Sequence, residues 1–423
     1  MQEAFLHYIW KYQLFNFSNL KTTDGDLVEV IKQGIHNQNA GPDFNTAKIQ
    51  IGETIWAGDV EIHVKSSDWN LHKHSKDKAY DTTILHVVYE NDRVIKRSSG
   101  EVIPTIELKD RIHKGVNEKY EVLINNQSWI PCANNISKVD GFVINNWIDR
   151  LLVERLERKS KPIEDLLELT HNDWEEVAYI FIARSFGLKV NAVPFELLAK
   201  SIPLKILSKH KDNLLQIEAL LFGQAGFLNQ DFTDEYPNQL KKEYQFLRYK
   251  YQLTPLESSI FKFLRLRPAN FPTIRIAQLA RFIQNNAAVF SQVKKVNVLI
   301  DVKTIFDITL SGYWNDHYQL DKLSLLKLKT LGRTTIDTIV LNTIAPLLFL
   351  YGKKINEEQF QNIALKLLEE IKPEKNAIVE KWYDIGIKAK SAYQTQALLE
   401  LKNEYCSHKK CLNCNIGNQI LRN

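Results

Sequence analysis

Four cysteines in a chain of 423 residues are too few and too scattered for a disulfide scaffold. A long uninterrupted apolar run is also missing. The most apolar window, TIVLNTIAPLLFLYG from Thr338 to Gly352, is too short to span a bilayer, and Asn342 and Pro346 interrupt it. It is expected to be a buried helix or core segment. The opening MQEAFLHYIW places the acid Glu3 near the start and has no basic stretch before an apolar run, so no secretory signal is expected. By elimination the chain reads as soluble and cytoplasmic, with no membrane contact. There is no internal repeat of fixed period and no low-complexity linker. The sequence carries no sign of oligomeric state.

What is present fits a globular protein. Hydrophobic residues make up 44% and charged residues 25% of the chain. The length exceeds one ordinary core and implies two or three domains. The net charge of +5 is mild, but its distribution is uneven. Between Lys241 and Lys295 stand eleven basic and two acidic residues, a local net charge of +9. Such an excess suits an electrostatic footprint for phosphate, or equally a solvated helical surface.

Periodicity divides the chain. Residues 3–16 look helical, with Phe5, Ile9 and Leu14 on one side. Segments 27–33, 44–51, 54–65, 82–90 and 102–109 are rich in β-branched and aromatic residues and are separated by turn signals such as NAGPD at 39–43 and IGET at 51–54. Five such strands imply one sheet with helices at its ends or on one face. Near residues 135–142 the period changes. VINNWIDRLLVERLERKS (143–160) and the stripe of Phe360, Ile363, Ala364, Leu367, Leu368 and Ile371 have helical spacing, with Asn356 as a cap and Pro373 after the end. Residues 163–230, 238–266, 274–290 and 318–350 show similar patterns. The expected architecture is an α+β domain over 1–138, a mixed sheet with flanking helices, followed by a mainly helical region over 139–423.

The most informative stretch is Gly58-Asp59-Val60-Glu61-Ile62-His63-Val64-Lys65. Side chains on a strand alternate between faces. Val60, Ile62 and Val64 are expected in a core, and Asp59, Glu61, His63 and Lys65 together on the other face. Four ionisable groups on one face are costly to bury unless they bind something. Upstream, Gly41-Pro42-Asp43 puts an acid at the start of another strand.

An acid at a strand start, followed by a strand bearing an acid and a lysine, resembles the PD-(D/E)xK nuclease superfamily, over roughly residues 1–110. The resemblance implies a restriction-endonuclease-like core in which Asp43 and Glu61 hold Mg²⁺ or Mn²⁺, with Asp59 as a neighbouring acid. It also implies that Lys65 or His63 assists the attacking water. Hard cations suit carboxylate oxygens and stabilise charge developing on phosphate. The family separates acid and lysine by one residue, whereas Glu61 and Lys65 have three between them. Either His63 takes the place of the lysine, or His63 takes the place of the acid before Lys65, or the match is fortuitous. A second reading uses His63, His72, His74 and His86, which with one carboxylate suit zinc with an open position. His72 and His74 fall in the lysine-rich LHKHSKDK and are expected to be solvated.

Cys406, Cys411 and Cys414 have C-x4-C-x2-C spacing, and Cys132 is available to complete a four-thiolate site. Thiolates favour zinc or an iron–sulfur cluster, here in a structural role that ties the C-terminus to the first domain. The loop from Arg265 to Arg275 places Arg265, Arg267 and Arg275 around a helix start that Thr273 is expected to cap, a cradle for phosphate or a rigid corner. Tyr244, Phe246, Tyr249 and Tyr251 nearby suit base stacking or a core. NAGPDF, WAGDVEIHVKSSDW, LHVVYEND, RPANFPTIRIAQLA, GYWNDHY and YCSHKKCLNCNIG make the chain similar to an uncharacterised bacterial family of about this size, a resemblance that carries no activity. The leading expectation is a metal-dependent nuclease with a basic, nucleic-acid-binding helical region. Its rivals are a non-catalytic scaffold for nucleic acid or protein on a degenerate nuclease fold, and a zinc-dependent hydrolase.

Overall fold

The computed structural model describes residues 1–422 except Gln38, Ala287 and Ser311, with the side chain of Lys114 also outside the description. It is α+β, with a mixed sheet near the N-terminus and helices through most of the remainder. The chain forms two compact units. The first comprises Met1–Trp147 with Leu401–Asn423, and the second Ile148–Glu400. The boundary expected at residue 138 therefore shifts, and the C-terminal segment belongs with the first unit. Helix Gly141–Leu169 runs unbroken through the division, which is why the change of period near 135–142 marks the last strand-rich stretch and not the edge of the unit.

In the first unit, helix α1 (Glu3–Lys11) is followed by strands β1 (Val28–Lys32), β2 (Ile35–His36), β3 (Phe44–Ile51) and β4 (Thr54–Lys65). A short helix α2 (Asp68–Leu71) and two 3-10 turns lead to β5 (Thr83–Glu90) and β6 (Thr105–Glu107), and then to helix α3 (Lys114–Asn125). The sheet order is β1-β3-β4-β5-β6, with β2 also paired to β3. The β1/β3 and β3/β4 pairs are antiparallel, and β4/β5 and β5/β6 are parallel. The turn between β3 and β4 pairs Ile51 with Thr54, and Gly52 supplies the positive φ of 59° that a two-residue hairpin needs. The parallel step requires a crossover, and residues 66–82 provide it.

The middle of β4 is buried on both faces. Val60 and Ile62 are fully buried in the core, as the alternation predicts, while Glu61 and His63 are covered on the other side. Helix α1 packs on this strand through its apolar stripe of Phe5, Leu6 and Ile9. It ends near Lys11, short of the expected residue 16, because Gln13 takes a left-handed φ of 53°. Phe5 stacks on Tyr120 of α3 at 4.1 Å, and the Tyr120 hydroxyl donates to Gln2 at 2.7 Å.

The second unit is helical with small β excursions. Residues 238–266 do not form one helix: Glu235–Tyr251 is helical, and Gln252 ends it with a φ of 51° ahead of Pro255. Residues 309–330 hold two two-stranded ribbons, which from residue 318 on replace the helix that was expected. The apolar helix Arg333–Ile355 has 23 residues, long and apolar enough to cross a membrane by length and composition, which corrects its expected shortness. Most of its apolar window is buried within the protein. Pro346 does not break it. The turn ahead of the proline widens to a π-helix over Val340–Ile344, and the Ser160 hydroxyl donates to the Pro346 carbonyl. Asn356 terminates this helix in a left-handed conformation at φ 56° and does not cap the next, which runs Glu358–Glu370.

Candidate metal centre

The candidate site is built on the covered face of β4. Glu61 and His63, two residues apart, stand side by side with 4% and 1% exposure. His63 Nδ1 lies 2.8 Å from His86 Nε2 on the neighbouring parallel strand, where register pairs Glu61 with His86. That bond fixes the His63 ring and turns its Nε2 toward the crossover. There it meets His72 Nδ1 at 3.1 Å. His72 ends α2, and Lys73, at φ 63°, reverses the chain so that His74 returns to the same point. His74 is buried against Tyr80, ring centroids 3.8 Å apart, with Trp69 beneath.

Ligand nitrogens of His63, His72 and His74 all lie within 4.8 Å of one another. Glu61 Oε1 is 3.6 Å from His63 Nε2 and 3.2 Å from His74 Nε2. His74 Nε2 is buried and not aligned for a hydrogen bond. Tetrahedral zinc with bonds near 2.05 Å holds neighbouring ligand atoms roughly 3.3 Å apart, so these spacings bracket such a site. His72 is exposed and leaves the solvent side open. Burial, with the surrounding histidines, holds His63 neutral by lowering its pKa to about 2. Burial likewise lowers His86 to about 3. Neutral imidazole is the form that ligates metal. Burial raises the Glu61 pKa despite the opposing pull of His74.

Asp43 adjoins this group. Its backbone N–H donates to Glu61 Oε2 at 3.0 Å, and its Oδ2 accepts from Ile62 N–H at 2.9 Å. His7 Nε2, reaching across from α1, lies 3.2 Å from the same Oδ2. Burial works against the charged form of His7, but the Asp43 carboxylate outweighs it and the pKa rises. His7 and His36 also line a cleft of about 470 Å³ whose walls include Lys11, His408, Lys409 and Lys410. These four side chains surround the cleft with basic groups.

Two residues expected at this site stand elsewhere. Asp59 does not join Glu61: its Oδ1 accepts Thr46 N–H at 3.0 Å and its Oδ2 accepts the Thr82 hydroxyl at 2.6 Å. The carboxylate is occupied in holding the irregular pairing on either side of β4, where Thr46 has a φ of 55°. Lys65 is exposed at the strand end, past the covered stretch. His72 is exposed, as expected, and His74 is buried, and both stand beside His63 as the zinc reading had it, while His7 joins them from a helix that carried no sequence signal for it.

The arginine loop divides as well. Arg275 is 4% exposed and its guanidinium donates to Gln278, Asn270 and Thr335, so it is an internal cross-link and not a phosphate contact. Burial lowers its pKa to about 10. Thr273 is not the cap. Pro272 opens the helix, and the Thr273 hydroxyl donates to the Tyr318 carbonyl. Arg265 and Arg267 are exposed. On helix Glu235–Tyr251, Tyr244 is buried while Phe246 and Tyr249 are 62% and 88% exposed. Cys132 lies in the same unit as Cys406, Cys411 and Cys414, and all four are free.

No curated protein and no solved structure matches the chain. A family model described as a protein of unknown function, DUF2851, matches residues 3–377, ending before the cysteine trio. That match covers most of the chain, which therefore belongs to the DUF2851 family of proteins of unknown function.

Proposed function

We propose that the first unit is a metal-dependent hydrolase of phosphodiester bonds and that its substrate is nucleic acid. The observation that carries the reading is the convergence of three imidazoles on one point, with an open solvent side and a buried carboxylate beside it. His63, His72 and His74 hold the ion. Imidazole ligands favour zinc over magnesium or manganese, which suit carboxylates, and this revises the all-carboxylate magnesium or manganese site that the sequence resemblance implies. When bound, the ion supplies Lewis acidity toward a phosphoryl oxygen and acidifies water at its open position.

The protein's own groups do the rest. Glu61 stands where it accepts the proton of an attacking water, and the Asp43 N–H orients its carboxylate. Asp43 holds His7 at the edge of the cleft, where with Lys11, Lys409 and Lys410 it faces a polyanion. The order of helix, antiparallel strands, crossover and parallel strand supports the likeness to the PD-(D/E)xK core, with His63 in the place of the lysine after the second acid. Exposed Phe246 and Tyr249 among Lys242, Arg248 and Lys250 support contact with unpaired bases, which stack on aromatic rings beside cationic groups.

The test is cleavage of labelled single- and double-stranded DNA and RNA with Mn²⁺, Zn²⁺ or Mg²⁺, alongside bound-metal analysis. His72→Ala is expected to lose both metal and cleavage. Glu61→Gln is expected to keep metal and slow cleavage by about 10²–10⁴-fold, the usual contribution of a positioned base. Folded, metal-loaded wild type that cuts none of these substrates sinks the catalytic reading and leaves a binding scaffold in its place.

A further inference from the structure

The four cysteines are the chain's whole complement. Two distant parts of the sequence bring them into one unit. Cys132 sits in the turns before Ile136–Lys138, with its carbonyl accepting from Asn135 and Ile136 N–H at 2.9 Å each. Cys406 ends a π-helical turn, Leu401–Cys406. Cys411 opens the 3-10 turn Cys411–Asn413, and Cys414 leads into the amphipathic helix Asn415–Arg422. That helix packs on the Ile136–Lys138 turn, on α3 and on the Cys411 turn. Gly417 makes the last approach close enough that a Cβ there would lie 2.2 Å from the Cys411 carbonyl oxygen. Cys132, Cys411 and Cys414 are buried, at 7%, 8% and 7% exposure.

Cys414 lies close to the backbone N–H groups of Ile416 and Gly417 at the start of the last helix. The charges of Lys402 and Lys409 act on Cys406 and Cys411. Cys406 interacts electrostatically with Cys132, Cys414 and Cys411, and Cys132 with Cys414 and Cys411, so the four thiols share one neighbourhood.

We propose that Cys132, Cys406, Cys411 and Cys414 ligate a thiophilic metal centre that anchors the C-terminal segment in the first unit. The centre is structural, since four protein ligands close the coordination shell. Among the described residues the histidine trio is the group of three ligand atoms that gathers within 4.8 Å. The thiols are therefore more widely spread than the roughly 3.8 Å sulfur separations of one tetrahedral zinc with 2.3 Å bonds. A polynuclear iron–sulfur cluster, which interposes irons and sulfides between its cysteines, fits the wider spacing. The same turn carries His408, Lys409 and Lys410 into the basic cleft beside His7, so the centre also fixes that wall. Loading releases the thiol protons to solvent as the metal takes their place.

The experiment is anaerobic purification of the full-length chain, with iron, sulfide and zinc measured per chain and the visible spectrum recorded. Wild type is expected to carry iron and acid-labile sulfide in equal amounts, with a visible charge-transfer band. Cys411→Ser and Cys414→Ser are expected to lose them, and His72→Ala to keep them, which separates this centre from the histidine site. Alkylation of native wild type covers the case in which the cysteine variants misfold. Its four thiols are expected to resist modification until a chelator or oxidant removes the metal, and then all to react. Zinc bound at these cysteines without iron upholds the four-thiolate site and overturns the cluster. Wild type that holds neither metal after reconstitution, with all four thiols freely alkylated, overturns the proposal.

Discussion

Glu218 lies on helix Leu214–Gln224, buried at 3% exposure, where the Tyr236 hydroxyl donates to Oε2 and the Trp314 indole N–H to Oε1. Burial outweighs these two donors and raises its pKa to about 7. The sign of the consequence follows from proton counting. Between its ordinary value of 4.5 and about 7 the folded protein holds a proton that the unfolded chain has released, so stability falls as pH rises through that window and levels off above it. At about 1.4 kcal/mol per pH unit over about 2.5 units the loss is roughly 3–4 kcal/mol. Glu218→Gln, which mimics the protonated form, is expected to stabilise the protein by an amount of that order at pH 8 and to be near neutral at pH 4. Urea titrations of both proteins at the two pH values check this. At the metal centre the same scale shows what the sequence revealed. Glu61 and His63 were legible, because two ionisable residues sharing a face with apolar residues between them mark a strand with a purpose. His72 and His74 were offered as zinc ligands in a second reading, but the burial of His74 and their convergence on His63 were not legible. Lysines surround them, and their place depends on the left-handed turn at Lys73 and the Tyr80 ring.

Strands β3 and β4 run over the residues that alternation assigned, 44–51 and 54–65, because long, half-buried strands write period two strongly. The short ribbons within 309–330 could not be read, since strands of two or three residues have no period to detect. Gly58 on β4 shows how little freedom the site's scaffold has. A Cβ there would lie 2.4 Å from Ile84 Cγ2 and 2.5 Å from the Thr82 carbonyl oxygen, at the start of β5. Gly58→Ala is expected to cost about 1–3 kcal/mol, in the manner of an overpacked core, and to shift the β4/β5 register that faces Glu61 toward His86. Denaturant midpoints, with histidine NMR shifts for the register, test it. The exposed rings of helix Glu235–Tyr251 make a separate prediction. Replacing Phe246 and Tyr249 by alanine is expected to weaken single-stranded DNA or RNA binding at least about tenfold, at roughly 1–3 kcal/mol per stacked base. Duplex binding is expected to change little. Fluorescence anisotropy distinguishes the two.

The first unit is discontinuous, and this was not legible beyond the cysteine spacing. The C-terminal residues carry no strand signal and join the sheet domain through contacts separated by hundreds of positions, such as Asp140 N–H to Gln419 and Lys402 to the Trp129 carbonyl. Deleting residues 401–423 uncovers the partners of Ile416 and Leu421, both almost fully buried. Hydrogen exchange is expected to accelerate in α1, α3 and the turns around Cys132, and to change little in the apolar helix Arg333–Ile355 of the second unit. Equal acceleration in both units would contradict that assignment.

A ribosome meets this arrangement as a problem of timing. The sheet with Glu61 and His63 emerges early, but the segment that closes its unit is made only after all 253 residues of the second, Ile148–Glu400, have left the tunnel. The nascent first unit must wait with its docking surface open, a long interval for exposed apolar groups. A chain released early carries the histidines without the basic wall of the cleft. Completion of the cleft thus waits until His408 to Asn413 have been made, and any activity the cleft supports is withheld from fragments that stop short of them.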